Sequence, residues 1–195
     1  MRLILASASP RRAELLRAAG YTFDVLAANV DEAIRGGESP SLYVRRLAAE
    51  KSAAVAPHVG GAIVLGADTT VVVDDEILAK PQDDGDAAAM LRRLSGRRHE
   101  VITGISLRRG AFELGRVETT AVFFAPLADD EIAWYVATGE GRDKAGAYAI
   151  QGYASRFIPR VEGSYTNVVG LPVAAVRELL TEISGTPPDR SSPRR

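Results

Sequence analysis

LGADTTVVVDDEILAKP, residues 65–81, is where the chain is expected to keep its chemistry. An apolar run enters it from Ala62, and Asp68, Thr69 and Thr70 follow before the chain turns back through Asp74 and Asp75 toward Lys80. Ile63, Val64 and Leu65 read as a buried strand with a carboxylate, Asp68, placed where that strand ends. Aspartate is depleted in strands and costly to bury unpaired. Either Asp68 caps its own backbone in a turn, or a cation, a metal or a substrate partners it.

Composition narrows the second alternative. A chain of 195 residues makes one domain, or two lobes sharing a core. A formal charge of -1 argues against a dedicated nucleic-acid or membrane binder, because both usually carry a basic excess. With no cysteine, thiolate nucleophiles, disulfides and Cys-ligated metals are excluded, and His58 and His99 stand far apart. A metal would therefore be held by carboxylates, phosphates and water, which points to Mg²⁺ or Mn²⁺. No run approaches the ~18 apolar residues of a membrane span, and Arg11 and Arg12 interrupt the N-terminal LILASAS, so a cytoplasmic protein is expected.

Upstream, Leu3 to Ala6 reads as a strand, and Ser9 with Pro10 as the N-cap and first residue of a helix to about Ala19. Arg11 and Arg12 fall in its first turn, where the helix dipole disfavours cations by roughly 0.3 to 1 kcal/mol. A bound phosphate would reverse that sign. Tyr21 to Leu26 reads as a second strand, and Glu32 as a loop acid, either solvated or a ligand. Ser39 and Pro40 open a helix to about Val55 whose stripe of Val44, Leu47 and Ala48 continues into Lys51. That lysine either snorkels along the face or is delivered to an anion.

Downstream, a helix from Asp83 or Asp84 presents Ala87, Met90, Leu91 and Leu94 inward. Two alternating strands, His99 to Leu107 and Val117 to Phe123, form a hairpin turning at Arg109 and Gly110. His99 reads as a structural histidine bonded to backbone. A helix over Leu127 to Thr138 follows, then a small-residue segment, Gly139 to Gly152. Gln151 in it is either a solvated amide or, with a donor and an acceptor, a reader of a pyrimidine edge. Gly163 to Pro172 is expected as a strand leading into a last helix to about Ile183. The tail, 185–195, is expected to be disordered, leaving 1–184 as a single catalytic domain of two lobes.

Taken together, SASPRRAELL, Glu32, AAEKS, GADTTVVV, LAKP, SGRRHEVITG, DKAGAYAIQG and GSYTNVVGLP resemble the Maf family of nucleoside triphosphate pyrophosphatases, in order from Leu3 to Leu180. The resemblance implies an α/β fold like that of inosine triphosphate pyrophosphatases: a mixed, bent central sheet with helices on both sides and two lobes around a cleft. It implies metal-dependent hydrolysis of a nucleoside triphosphate to monophosphate and pyrophosphate. The family's functional positions fall on Ser7, Arg12, Glu32, Lys51, Asp68 and Lys80; Ser7, Arg12, Lys51 and Lys80 are then expected to hold the phosphates, and Asp68 to be either the proton acceptor or chiefly a metal ligand, a role Glu32 would share. Arg11, Thr69 and Gln151 match the branch acting on dTTP and UTP, where the 7-methyl-GTP branch tends to carry tryptophan, glutamine and glutamate. A modified purine triphosphate, or a nucleotide-binding regulator of septum formation, stands as the alternative. A homodimer is expected by analogy alone.

Overall fold

The computed structural model describes residues 2–185. In chain order the elements are β1 (Leu3–Ala6), α1 (Pro10–Ala18), β2 (Asp24–Val25), α2 (Pro40–Val55), β3 (Ile63–Val73), β4 (Glu76–Leu78) and α3 (Asp84–Leu94), followed by β5 (Arg98–Arg109), β6 (Phe112–Phe123), α4 (Asp129–Ala137), β7 (Arg160–Glu162), α5 (Tyr165–Val169) and α6 (Val173–Gly185). The strands form a seven-stranded sheet in the order β2-β1-β3-β5-β6-β7, with β4 paired to β3. Parallel pairs (β1 with β2 and β3) and antiparallel pairs (β3 with β4, β6 with β7) make the sheet mixed. The chain is therefore mixed α/β, as the sequence implies. The tail beyond Gly185 lies outside the described residues.

Internal packing divides the chain into two units. The first comprises the segments up to Asp68, Thr103–Glu118 and the chain from Gly170 onward; the second comprises Thr69–Ile102 and Thr119–Val169.

In the first unit, β1 and β3 run in register from Leu3 with Ile63 to Ala6 with Gly66. Alternation sends Leu3, Leu5, Ile63, Leu65 and Ala67 to one face, where Ala13 and Leu16 of α1 and Ala175, Val176 and Leu179 of α6 cover them. Ile4, Ala6 and Val64 point the other way and meet Val55 of α2. The strands are thus sandwiched by helices, which is why they read as continuous apolar runs.

Two glycines set how closely α2 lies on the sheet. A Cβ at Gly66 of β3 would stand 2.2 Å from the carbonyl oxygen of Ala48, and one at Gly104 of β5 2.3 Å from that of Val44. Only hydrogen fits there. The helix backbone therefore rests directly on β3 and β5, one turn before it delivers Lys51.

The second unit packs α3 against α4, with Leu91, Leu94, Ile132, Tyr135 and Phe157 buried. Asp83 caps α3 through Asp86 N at 2.8 Å, as its position suggests. His99 is buried edge-on to Phe124 and Tyr148, with ring centroids 5.1 and 5.4 Å away. Its Nε2 shares a 2.8 Å hydrogen bond with the Tyr148 hydroxyl, a side-chain partner where the sequence suggested backbone. Nδ1 has no partner among the described residues.

Burial, aided by the nearby Arg98 charge, pushes the His99 imidazole down to about 4. The unfolded chain then binds the extra proton between the ordinary value and about 4, so His99 stabilises the fold above that window and loses its contribution as pH falls through it. The loss should reach about 3 kcal/mol across that interval. Denaturant unfolding at pH 7 and pH 4 should show a His99→Gln variant less sensitive to acid than the parent; equal sensitivity would contradict this reading.

Three sequence expectations need correction. The strand β3 does not end at Asp68 but continues through the β-branched Thr69–Val73 before turning at Asp74 and Asp75, whose φ angles are 54° and 60°. The strand expected over Tyr21–Leu26 is confined to Asp24–Val25, because the N–H of Tyr21 closes the end of α1 on Leu16 O at 3.0 Å. The expected strand within Gly163–Pro172 is instead helix α5, since Ser164 Oγ accepts from Asn167 N at 3.2 Å and caps it; the strand is Arg160–Glu162. Ser9 sits at the N-cap of α1, yet its hydroxyl makes no capping bond.

Candidate active site

The first unit holds six of the expected residues, Ser7, Arg11, Arg12, Glu32, Lys51 and Asp68. Asp68 leaves β3 on the face shared with Val64 and Gly66, toward α2. There Lys51, the buried continuation of the α2 stripe, donates from Nζ to Asp68 Oδ1 at 2.7 Å. The same ammonium lies 2.7 Å from Glu32 Oε1. Lys51 therefore does not snorkel; it joins two carboxylates. The partner that Asp68 requires is a cation from the chain itself.

Glu32 reaches inward from an exposed loop because that loop is pinned to α2. The Tyr43 hydroxyl donates to Glu32 O at 3.0 Å, and Arg46 donates to Ala33 O at 3.0 Å and to Glu38 at 2.7 and 2.8 Å. Burial, with the negative charges of Asp68 and Glu32, raises the Tyr43 phenol to about 12, so it remains a donor. Sequence reading missed Tyr43: it lies in the first turn of α2, off the stripe, and carries no local signal.

On the other side, Ser7 is buried in the loop after β1, and its Oγ accepts from Ser9 N at 3.2 Å. Arg12 donates Nη1 to Ser7 Oγ at 3.1 Å and to Ala67 O at 2.9 Å, and Nε to Gly170 O at 2.8 Å. It thereby ties the start of α1 to the residue before Asp68 and to the turn before α6. Burial lowers the Arg12 guanidinium from its ordinary range, and the charges of Asp68 and Glu32 oppose that shift. Arg11, half-buried, occupies the same first turn of α1.

Electrostatically, Asp68 sits between two effects. Burial raises its carboxyl above the usual aspartate range, and Lys51 and Arg12 pull it back in part. A carboxylate so raised is a better proton acceptor than an exposed aspartate. Its Oδ2 takes no hydrogen bond from the described residues.

Glu32 and Asp68 also bear on a cation. No group of three or more acidic or imidazole side chains gathers in one place among the described residues. Two carboxylates converging on one positive charge suit a hard divalent cation whose remaining ligands are phosphates and water. The residues present fit such an ion.

The remaining expected residues belong to the second unit. Thr69, next after Asp68 on β3, is half-buried and points to the opposite face of the strand. Lys80 is exposed after β4, and Gln151 is exposed in the segment between α4 and β7. Trp134 of α4 is exposed, with the Arg156 guanidinium 4.7 Å from its ring centroid. No helix among the described residues is long and apolar enough to cross a membrane.

Proteins of named activity are similar to this chain over most of its length. A protein of Symbiobacterium thermophilum named dTTP/UTP pyrophosphatase is 54% identical over 180 residues, covering 92% of this chain and 93% of its own. One of Geobacter metallireducens with the same name is 52% identical over 179 residues, covering 91% and 93%. Among solved structures, the Staphylococcus aureus Ham1 protein superposes with a TM-score of 0.54 at 15% identity, over 94% of this chain and all of that one, a likeness of fold. The family described as Maf-like protein matches residues 2–183, and the chain belongs to that family.

Proposed function

We propose that this protein hydrolyses nucleoside triphosphates, dTTP and UTP foremost, to the nucleoside monophosphate and pyrophosphate. The observation that carries the reading is the identity above 50%, over nine-tenths of the chain, to proteins named for that activity. The cluster around Asp68 supplies a chemistry that suits it.

Water attacks the phosphorus nearest the nucleoside, and the bond to the pyrophosphate oxygen breaks. Asp68 takes the proton from that water, a role its burial favours. Arg12, Lys51 and Lys80, with the Ser7 hydroxyl, bring donors and positive charge to the phosphates. When bound through Glu32 and Asp68, a divalent cation, Mg²⁺ or Mn²⁺, neutralises phosphate charge and favours deprotonation of water. Arg11, Thr69 and Gln151 select the base through hydrogen bonds that a wrong base leaves unpaired.

A panel of canonical and modified triphosphates, assayed for pyrophosphate with Mg²⁺ or Mn²⁺, tests the reading. Highest kcat/KM for dTTP and UTP is expected; a preference for a purine triphosphate would overturn it. Gln151→Glu should lower the preference for dTTP and UTP over other triphosphates by about tenfold or more, the worth of one or two polar contacts turned unfavourable. Unchanged ratios in the same panel would remove Gln151 from base selection.

A further inference from the structure

Gln151 is exposed, and an exposed amide in a segment of small residues reads a base only if its backbone is held. The structure holds it from both sides through one pair of side chains. Tyr135 of α4 is fully buried, and its hydroxyl donates to Glu140 Oε2 at 2.7 Å while accepting from Ala149 N at 3.1 Å. Glu140 turns the other way as well: Oε1 accepts from Tyr153 N at 2.9 Å, and Oε2 from Ala154 N at 3.3 Å. Gly152 lies against the same carboxylate, where a Cβ would come within 1.8 Å of Oε1. Ala149 and Gly152 are further joined by the bond from Gly152 N to Ala149 O at 3.1 Å. The Glu140 backbone is itself held, its carbonyl accepting from Lys144 Nζ at 2.7 Å.

We propose that Tyr135 and Glu140 are positioning residues for Gln151, a clasp that fixes the backbone on both sides of the base-reading amide and so sets base selectivity without touching substrate. This rests on the reading of Gln151 given above. The clasp also accounts for Glu140, an acid in a loop with no arginine or lysine side chain on its carboxylate among the bonds found: its partners are two backbone N–H groups and a phenol. Such a carboxylate organises backbone rather than balancing charge.

The experiment compares Tyr135→Phe, Glu140→Gln and Gln151→Ala, singly and combined, with the parent. Amide exchange of Ala149, Tyr153 and Ala154 should quicken about tenfold in Tyr135→Phe and Glu140→Gln, the effect of one lost hydrogen bond on local opening. The ratio of kcat/KM between the preferred triphosphate and the next should fall by a similar factor, about tenfold, while kcat at saturation stays within about twofold. Added to Gln151→Ala, neither substitution should change the ratio further. Unchanged ratios, or an effect that persists in the Gln151→Ala background, would overturn the clasp. If Glu140→Gln fails to fold, Tyr135→Phe, which removes one oxygen, decides alone. A parent protein that prefers a purine triphosphate would sink the pyrimidine reading, and the ratio for that substrate would still judge the clasp.

Discussion

Asp68→Asn should fold, bind nucleotide and turn over about 1,000-fold more slowly than the parent, the middle of the range for loss of a positioned general base. The exchange keeps shape and removes the proton acceptor. It also leaves Lys51 with Glu32 at 2.7 Å, so the buried ammonium retains a carboxylate partner and the fold is spared the several kcal/mol of an unpaired buried charge. Calorimetric titration with dTTP should give binding within about tenfold of the parent, since one carboxylate among several phosphate-facing groups changes. Initial rates decide the matter. A variant retaining a tenth of parental activity would mean that Asp68 is not the base. Glu32→Gln should cost less, because the Glu32 side chain is half-exposed and so interacts with the cluster charges in a more water-screened setting than buried Asp68.

The second large effect lies at Gly66, inside β3 beneath α2. Gly66→Ala places a methyl group 2.2 Å from Ala48 O and 2.8 Å from Ser52 N, both backbone atoms of α2, so no side chain can yield. Either α2 lifts from β3 or the strand bends. Overpacking of this kind should cost about 3 kcal/mol, which for a chain of this size lowers Tm by roughly 6 to 12 °C. Activity should fall with stability, because the turn of α2 that collides is the one preceding Lys51, and a shift of about 1 Å there suffices for a 100-fold loss. Thermal unfolding and rates measured on the same preparation check both parts. A variant as stable and active as the parent would show that α2 does not rest on β3 at Gly66.

Two residues of the site show how far the amino-acid sequence could be read. Asp68 and Lys51 were legible because each breaks a local rule, an acid behind an apolar strand and a lysine on an apolar stripe, and the structure pairs each violation with the other. Periodicity placed α2 and α3 and the β5–β6 hairpin within a residue or two at most boundaries. It failed where capping overrode propensity. Thr166, Val168 and Val169 favour a strand, and Ser164 nevertheless caps a helix over them. It failed again at Asp68 itself, where the ion pair with Lys51 lets an acid stand inside a strand that the β-branched run carries on to Val73. Tyr43 and Arg46 were illegible for a different reason. They act by pinning the Glu32 loop through contacts eleven and thirteen residues away in sequence, which no periodicity encodes. Gly66 carried a signal, a glycine inside a buried strand, whose meaning needed the helix above it.

In the proposed reaction, water is delivered to the phosphorus nearest the nucleoside, with pyrophosphate leaving. Hydrolysis of dTTP by the parent protein in water enriched in ¹⁸O, with both products analysed by mass spectrometry, tests it most directly. Pyrophosphate and monophosphate should appear in equal amounts, with one heavy oxygen in the monophosphate and none in the pyrophosphate. Heavy oxygen in the pyrophosphate, or release of orthophosphate and a diphosphate, would contradict it.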